Sequence, residues 1–227
     1  MELKNEREAL QMFCDEDSER LLCRKPITID YKGKHMVMAT ECHIMALVDA
    51  ELLHSEYDVM MQRVPNYDYE RKDFDKVIEL SDIERACQQL LEPEKVSKDG
   101  KSEVCPECYG ACEVEYEYTD SHGYTYYTDC ECPVCDGTGV RKDYELIETG
   151  RMIPKKDSTL GLDDETIDAR CMWRVVTALR MMGFERMTWK SSQKGANVFD
   201  VYDGFVVVIM SRLREGITRI NINYKKE

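Results

Sequence analysis

The sequence predicts an α+β chain: a body of antiparallel strands and helices, interrupted by a small metal-stapled β-hairpin. Three observations predict it. Two CxxC pairs, Cys105/Cys108 and Cys132/Cys135, stand about two dozen residues apart, near the usual separation of metal knuckles. Alternating, β-branched runs punctuated by turn residues recur on both sides of the cysteines. Helical periodicity marks segments near 4–22, 83–91 and 169–182.

The 227 residues suffice for one large domain or a domain with an insert. The expected division is a body over 1–100 and 142–227, with an insert over 101–141. An apolar fraction of 43% allows a core, and 33% charged residues keep the chain soluble. No apolar run approaches the roughly 20 residues that span a membrane. The charged N-terminus, MELKNEREALQMFCDEDSER, lacks the apolar region of a signal peptide. With eleven cysteines and no export signal, the expectation is a cytoplasmic protein whose thiols are reduced and partly used for metal. A net charge of −14 argues against wrapping nucleic acid over the whole surface. It leaves room for a local basic face.

Taken in order, Leu10, Phe13, Cys14, Leu21 and Leu22 sit at helical spacing in residues 4–22. The acidic residues between them fit a solvated face or an acidic docking site. Residues 26–49 alternate. Ile27 and Ile29 mark one strand, Met36–Ala39 a second and Ile44–Val48 a third, with a turn at Tyr31-Lys32-Gly33-Lys34. Pro65-Asn66 marks a turn and Lys76–Leu80 a strand. Ser81 with Glu84 reads as a capping box for a helix to Leu91, with Ile83, Ala86, Cys87, Leu90 and Leu91 inward. Lys95–Glu103 reads as a polar linker.

The cysteine stretch carries the strongest chemistry. Thiolate sulfur is a soft ligand, and four thiolates satisfy tetrahedral Zn²⁺. Cys105, Cys108, Cys132 and Cys135 are therefore the expected ligands of one structural zinc. Two disulfides or four unrelated buried thiols are the alternative. Four thiolates leave no open position for a catalytic water. Between the knuckles, Val114, Tyr116 and Tyr118 alternate with glutamates, and Ser121-His122-Gly123 turns the chain back to Tyr124, Tyr126 and Tyr127. Cys112 and Cys130 are placed opposite each other across the hairpin base, as spare ligands, a redox pair or inert thiols. His122 is expected to be solvated at the tip. An insert of about forty residues is too small to fold on burial alone, and zinc can supply roughly 10–16 kcal/mol of apparent folding free energy.

Beyond the insert, Asp143–Ile153 reads as a strand and Pro154–Asp164 as a polar connector. A helix over Ala169–Met182 gathers Met172, Val175, Val176, Leu179 and Met182 on one side. Arg170, Arg174 and Arg180 gather on the other, and Gly183 closes the helix. Strands follow at Arg186–Lys190, Val198–Tyr202, Phe205–Met210 and Thr218–Tyr224, with Asp203-Gly204 as a hairpin turn.

Two family resemblances follow from these residues. Cys132-Pro133-Val134-Cys135-Asp136-Gly137-Thr138-Gly139 is a full CxxCxGxG repeat and closely resembles the cysteine-rich domain of DnaJ-type (Hsp40) co-chaperones. Cys105–Cys112 is a degenerate copy, with Cys112 where the last glycine belongs. That family carries four repeats and two zincs, so two repeats imply one zinc. No J-domain His-Pro-Asp is present, so stimulation of an Hsp70 ATPase is not implied. The body resembles bacterial DNA sliding clamps, the β subunit of the replicative polymerase. Ala39-Thr40-Glu41-Cys42-His43-Ile44-Met45-Ala46-Leu47 matches the family's Ala-Thr-Asp-Gly-His-Arg-Leu-Ala-Leu run in four residue types, with Cys42 for a glycine and Ile44 for an arginine. Ile167–Arg170, the helix, Asp203-Gly204 and Val206–Met210 follow the order of the family's last domain. Ser211-Arg212-Leu213 replaces its Pro-Met-Arg part.

The clamp resemblance implies antiparallel sheet with helices on one face. A clamp subunit has three such domains and this chain has room for one, so ring closure would need homo-oligomerisation. The resemblance also implies an outer partner cleft at His43, Ile44, Met45 and Met210, with Cys42, Ser211 and Arg212 beside it, the alternative being a turn histidine at His43 and simple core at Met45 and Met210. For DNA, Arg170, Arg174 and Arg180 are the candidate phosphate contacts, the alternative being a solvated helix face. The tyrosine hairpin suits stacking on bases or packing on a peptide, and its glutamates repel phosphate. No Gly-rich phosphate loop, GxSxG or His-rich metal set is present, so no enzyme is expected. Two functions stand: a non-enzymatic, zinc-binding, clamp-like factor associated with DNA or its replication, and a protein-binding adaptor that grips polypeptide with the zinc hairpin.

Overall fold

The structure is a computed structural model and describes residues 3–61, 64, 74–190, 195–212 and 218–226. The chain forms two units, one of Met1–Glu92 with Met152–Glu227, the other Pro93–Arg151. Antiparallel sheet dominates, with few helices. No helix among the described residues is long and apolar enough to cross a membrane.

The first unit is built on one eight-stranded sheet. Its strands are β1 (Ile27–Tyr31), β2 (Lys34–Thr40), β3 (Ile44–Asp49), β4 (Lys76–Glu79), β11 (Arg186–Trp189), β12 (Ala196–Tyr202), β13 (Phe205–Met210) and β15 (Lys225–Lys226). Their order is β1-β2-β3-β13-β12-β11-β4-β15, antiparallel at every pairing. The β1–β3 meander forms where alternation placed it. Lys32 and Gly33 both take positive φ, 54° and 78°, as a two-residue hairpin requires. Asp203-Gly204 joins β12 to β13 in the same role, with Gly204 at φ 81°. Alternate strand residues serve two cores. Val37, Ala39, Ile44, Ala46, Val207 and Ile209 face α1 (Glu6–Gln11), α3 (Leu80–Gln88) and α4 (Ala169–Met181). Met36, Met38, Met45, Leu47, Val206 and Val208 form a second cluster, packed with Phe74, Met60 and Leu22. Both faces are buried, which is why these strands read as nearly continuous apolar runs.

Helix α4 starts on Asp168, whose Oδ1 accepts from the backbone N–H of Arg170 and Cys171 at 2.8 and 3.0 Å. It ends on a Schellman turn: Gly183 N–H donates to Arg180 O and Phe184 N–H to Leu179 O, both at 3.0 Å, with Gly183 at φ 91°. Its inward residues are those that the spacing selects.

Several expectations are corrected. The single helix over 4–22 is two short ones, α1 and α2 (Leu21–Arg24). Asp15 Oδ1 accepts from Asp17 N–H and Ser18 Oγ from Arg20 N–H, so local side chains capture the backbone between them. Leu21 is exposed accordingly. Helix α3 begins at Leu80, and no side-chain bond caps it. Glu84, expected in a capping box, pairs with Arg180. The linker at 95–103 is strand, because Leu91–Val104 (β5) pairs with Val140–Pro154 (β8). These paired strands extend the second unit beyond 101–141. The polar connector at 154–164 contains β9 (Ser158–Leu162), buried at every position, in hairpin with β10 (Glu165–Asp168). Strand β14 (Thr218–Asn221) adds parallel to β9, a departure from antiparallel pairing. The turn expected at Pro65-Asn66 and Leu213 lie outside the described residues.

Candidate metal centre

The second unit carries its two knuckles at the base of a hairpin, β6 (Glu113–Thr119) paired with β7 (Thr125–Glu131). The tip is fixed by Asp120, whose Oδ1 accepts from the N–H of His122 and Tyr124 at 2.8 and 3.0 Å. His122 is exposed there.

The two repeats have matching backbones. Tyr109 and Asp136 take φ 49° and 48°, Gly110 and Gly137 take 87° and 69°, and Cys112 and Gly139 take 70° and 73°. Cys112 thus occupies the position of the second repeat's last glycine. The repeats also exchange reciprocal hydrogen bonds. Cys105 N–H donates to Gly139 O at 3.0 Å and Cys132 N–H to Cys112 O at 2.9 Å. Gly139 fits closely where it stands, since a β-carbon would lie 3.0 Å from both Cys112 Sγ and Gly110 O.

This arrangement delivers four sulfurs to one point. Cys105, Cys108, Cys132 and Cys135 are buried free thiols whose Sγ atoms all lie within 4.8 Å of one another. Cys105 Sγ is 3.8 Å from Cys132 Sγ, and Cys108 Sγ is 3.6 Å from Cys135 Sγ. Tetrahedral zinc with Zn–S bonds of about 2.3 Å needs sulfur–sulfur edges of about 3.8 Å, so the donor set fits that ion. The N–H groups of Cys108 and Glu107 pull the Cys105 thiol down to about 7, that of Cys108 most strongly. Burial pushes Cys135 up to about 11, partly opposed by the N–H of Gly139, 3.3 Å from its sulfur. The repeat's glycines were the signal for that supporting donor. Cys130 pairs in register with Val114, which corrects the placement opposite Cys112.

Strand alternation splits the hairpin into two sides. Val114, Tyr116, Tyr118, Tyr126, Thr128 and Cys130 share one. Glu113, Glu115, Glu117, Tyr127, Asp129 and Glu131 share the other, with Glu113 opposite Glu131 and Glu115 opposite Asp129. Tyr116, Tyr118, Tyr124, Tyr126 and Tyr127 are all exposed.

In the first unit, the four residues expected to line a cleft come together. Ile44 and Met45 pair with Ile209 and Val208, and Met210 N–H donates to His43 O at 2.8 Å. His43 is exposed, Met210 half-buried, and Met45 and Ile44 face opposite cores. Ser211 Oγ donates to Glu165 Oε2 at 2.6 Å, and Arg212 pairs with Asp157 at 2.8 Å. The three arginines of α4 are half-buried in ion pairs. Arg170 meets Glu92 at 3.1 Å. Arg174 meets Glu41 at 2.7 Å and donates to Met12 O and Cys14 O at 2.7 and 3.1 Å. Arg180 meets Glu84 at 2.9 Å and also pairs with Glu185.

No protein-family model matches the chain. No characterised protein matches it in sequence. Solved structures of bacterial clamps align with most of the chain at low TM-scores. The DNA polymerase sliding clamp of Pseudomonas aeruginosa aligns at 9% identity and a TM-score of 0.41, over 92% of this chain and 65% of the clamp. The beta sliding clamp of Caulobacter crescentus aligns at 10% identity and 0.42, over 92% and 63%. That of Bacillus subtilis aligns at 9% and 0.37, over 92% and 62%. The chain thus spans less than two thirds of the length of these clamps.

Proposed function

We propose that this chain is a non-enzymatic, zinc-binding factor of the sliding-clamp type that acts in DNA replication or another DNA-associated process. It works chiefly through protein contacts. The observation that carries the zinc part is the buried tetrad, whose sulfur separations of 3.6 and 3.8 Å fit one tetrahedral ion. The zinc is structural and belongs to a DnaJ-like pair of repeats, supported by their matching φ values and reciprocal hydrogen bonds. The clamp part is supported by sequence. Its two matching stretches fall on β3 and β13, which pair directly. The backbones of His43, Ile44, Met45 and Met210 are neighbours there, with His43 exposed, Met210 half-buried, and Ile44 and Met45 buried on opposite faces.

Protein contact is favoured over α4 as a DNA surface for an electrostatic reason. Phosphate would have to displace Glu92, Glu41, Glu84 and Glu185 from Arg170, Arg174 and Arg180. The exposed tyrosines of the hairpin favour the adaptor reading, a grip on polypeptide.

Anisotropy titrations of the zinc-loaded chain with a labelled unfolded polypeptide and with primed duplex DNA, at low and physiological salt, test this. Polypeptide binding that is lost with Tyr116→Ser, Tyr118→Ser and Tyr126→Ser is expected. Tight, steeply salt-dependent DNA binding abolished by Arg170→Glu, Arg174→Glu and Arg180→Glu, without polypeptide binding, would overturn the preference. Metal analysis should give one zinc per chain.

A further inference from the structure

A second thiol pair lies outside the metal centre, where the β2–β3 turn meets α2. Cys42 is at the tip of that turn with φ 82°, a conformation natural to glycine and strained for a residue with a β-carbon. Such strain persists only where surrounding contacts over-determine it. Here they do. Cys42 N–H donates to Thr40 Oγ1 at 3.0 Å, Thr40 Oγ1 donates to Ile44 O at 2.7 Å, and Glu41 N–H donates to Ile44 O at 3.3 Å. The turn presents an exposed thiol. Its Sγ lies 3.4 Å from the Sγ of Cys23, which is buried on α2. Arg20 Nη1 stands 3.4 Å from the same Cys42 sulfur. The α2 side is equally fixed: Asp15 N–H donates to Cys23 O at 2.7 Å and Arg24 Nε to Ser18 O at 2.6 Å. Cys14, also buried in this unit, directs its Sγ at Leu10 O, 3.9 Å away.

We propose that Cys42 and Cys23 form a thiol-oxidation site for hydroperoxides, with Cys42 the attacking sulfur and Cys23 the resolving one. The Cys42 thiolate attacks one peroxide oxygen. A sulfur–oxygen bond forms, the O–O bond breaks, and hydroxide or alkoxide leaves and is protonated by solvent. The sulfur is oxidised to a sulfenic acid and the peroxide is reduced. Cys23 then loses its proton to solvent and attacks the Cys42 sulfur. The S–S bond forms, the S–O bond breaks, and the departing hydroxide takes a proton and leaves as water. The two positions divide these roles. Exposure admits peroxide to Cys42, and the Arg20 guanidinium, 3.4 Å from its sulfur, stands where negative charge develops during the attack. Burial holds Cys23 protonated, with its thiol pushed up to about 11, so it is spared direct attack. The site uses none of the tetrad cysteines and does not depend on the proposed function.

The test is peptide mapping of the zinc-loaded full chain after brief exposure to hydrogen peroxide, with dimedone present to trap sulfenic acid. Under non-reducing digestion with trypsin, peptide 21–24 should appear joined to peptide 35–63, lighter by two hydrogens than their sum. In Cys23→Ser the link should vanish and a dimedone adduct should accumulate on Cys42. In Cys42→Ser, Cys23 should stay unmodified. Arg20→Gln should slow the oxidation about two- to fivefold, the scale of an exposed charge contact. Absence of the linked peptide in the wild type, with no adduct on Cys42 in a folded Cys23→Ser variant, overturns the proposal. So does oxidation of Cys23 at an undiminished rate in Cys42→Ser.

Discussion

Replacing one sulfur of the tetrad, as in Cys132→Ser, should unfold residues 93–151 and leave the other unit folded. The magnitude follows from what the second unit buries. Among the described residues its only buried side chains are the four cysteines, with Val114 packed partly against them. Burying that valine contributes about 1–2 kcal/mol. The directly opposed acids, Glu113 with Glu131 and Glu115 with Asp129, take back up to about 1 kcal/mol per pair. A two-stranded hairpin is marginal in water even without such repulsion. Zinc contributes roughly 10–16 kcal/mol in comparable modules, so the metal decides whether this unit folds. The first unit has its own core of Phe13, Val175, Leu179, Phe199 and Phe205, and needs no metal. Nitrogen–proton correlation spectra before and after chelation, with zinc measured by plasma emission, check this. The amides of 105–139 should collapse to random-coil positions while those of α4 and β11–β13 stay in place. Dispersed, unchanged 105–139 signals in metal-free protein would refute the reasoning.

Further outcomes are expected. Protons compete with the metal for the sulfurs: the metal-bound folded state holds fewer protons than the unfolded chain, so stability of this unit rises with pH and zinc is released on acidification, measurable with a chromogenic chelator. Arg174→Ala should destabilise the first unit by about 2–3 kcal/mol in urea unfolding, because Met12 O, Cys14 O and Glu41 all lose their donor. Arg174→Lys should rescue only part of that, since one ammonium cannot span three acceptors as the planar guanidinium does. Gly139→Ala should weaken zinc retention in the chelator assay, because the new β-carbon meets Cys112 Sγ and Gly110 O at 3.0 Å and φ is 73°. Glu115→Lys should strengthen the hairpin by about 0.2–1 kcal/mol, seen as slower amide exchange, because it turns a repulsive pair with Asp129 attractive.

Much of this was legible where local chemistry decides local structure. The CxxCxGxG spacing marked both the four sulfurs that meet and the tight turns beneath them. Asp203-Gly204 and Lys32-Gly33 fixed two hairpins, and the Asp168-to-Gly183 span fixed α4 to within a residue. What was not legible depended on distant partners. Residues 95–103 are too polar to announce a strand, and they become one by pairing with β8. β9 is short and glycine-bearing, and it is buried because β10 and β14 flank it. Residues 4–22 have helical spacing throughout, yet Asp15 and Ser18 offer the backbone a competing local bond. The approach of Cys23 to Cys42 was hidden for the same reason. It joins α2 to a turn whose position is set by the whole meander.

The arginines of α4 show how one sequence feature can serve two chemistries. A row of three arginines on one side of a helix reads the same whether it faces phosphate or protein carboxylate. The difference lies in Glu41, Glu84, Glu92 and Glu185, which come from the β2–β3 turn, from α3, from β5 and from the chain after α4. Each pair therefore ties α4 to a different element, and Arg174 reaches both the N-terminal segment and the turn that carries Cys42. At a net charge of −14, bringing phosphate to these guanidiniums would add like charge beside carboxylates already in place. The same contacts, strengthened as pairs in partial burial, fix the helices on the sheet. The row therefore has carboxylate partners within the body, which is the ground for favouring protein contact. The proposed polypeptide contact therefore rests on the exposed tyrosines of the hairpin.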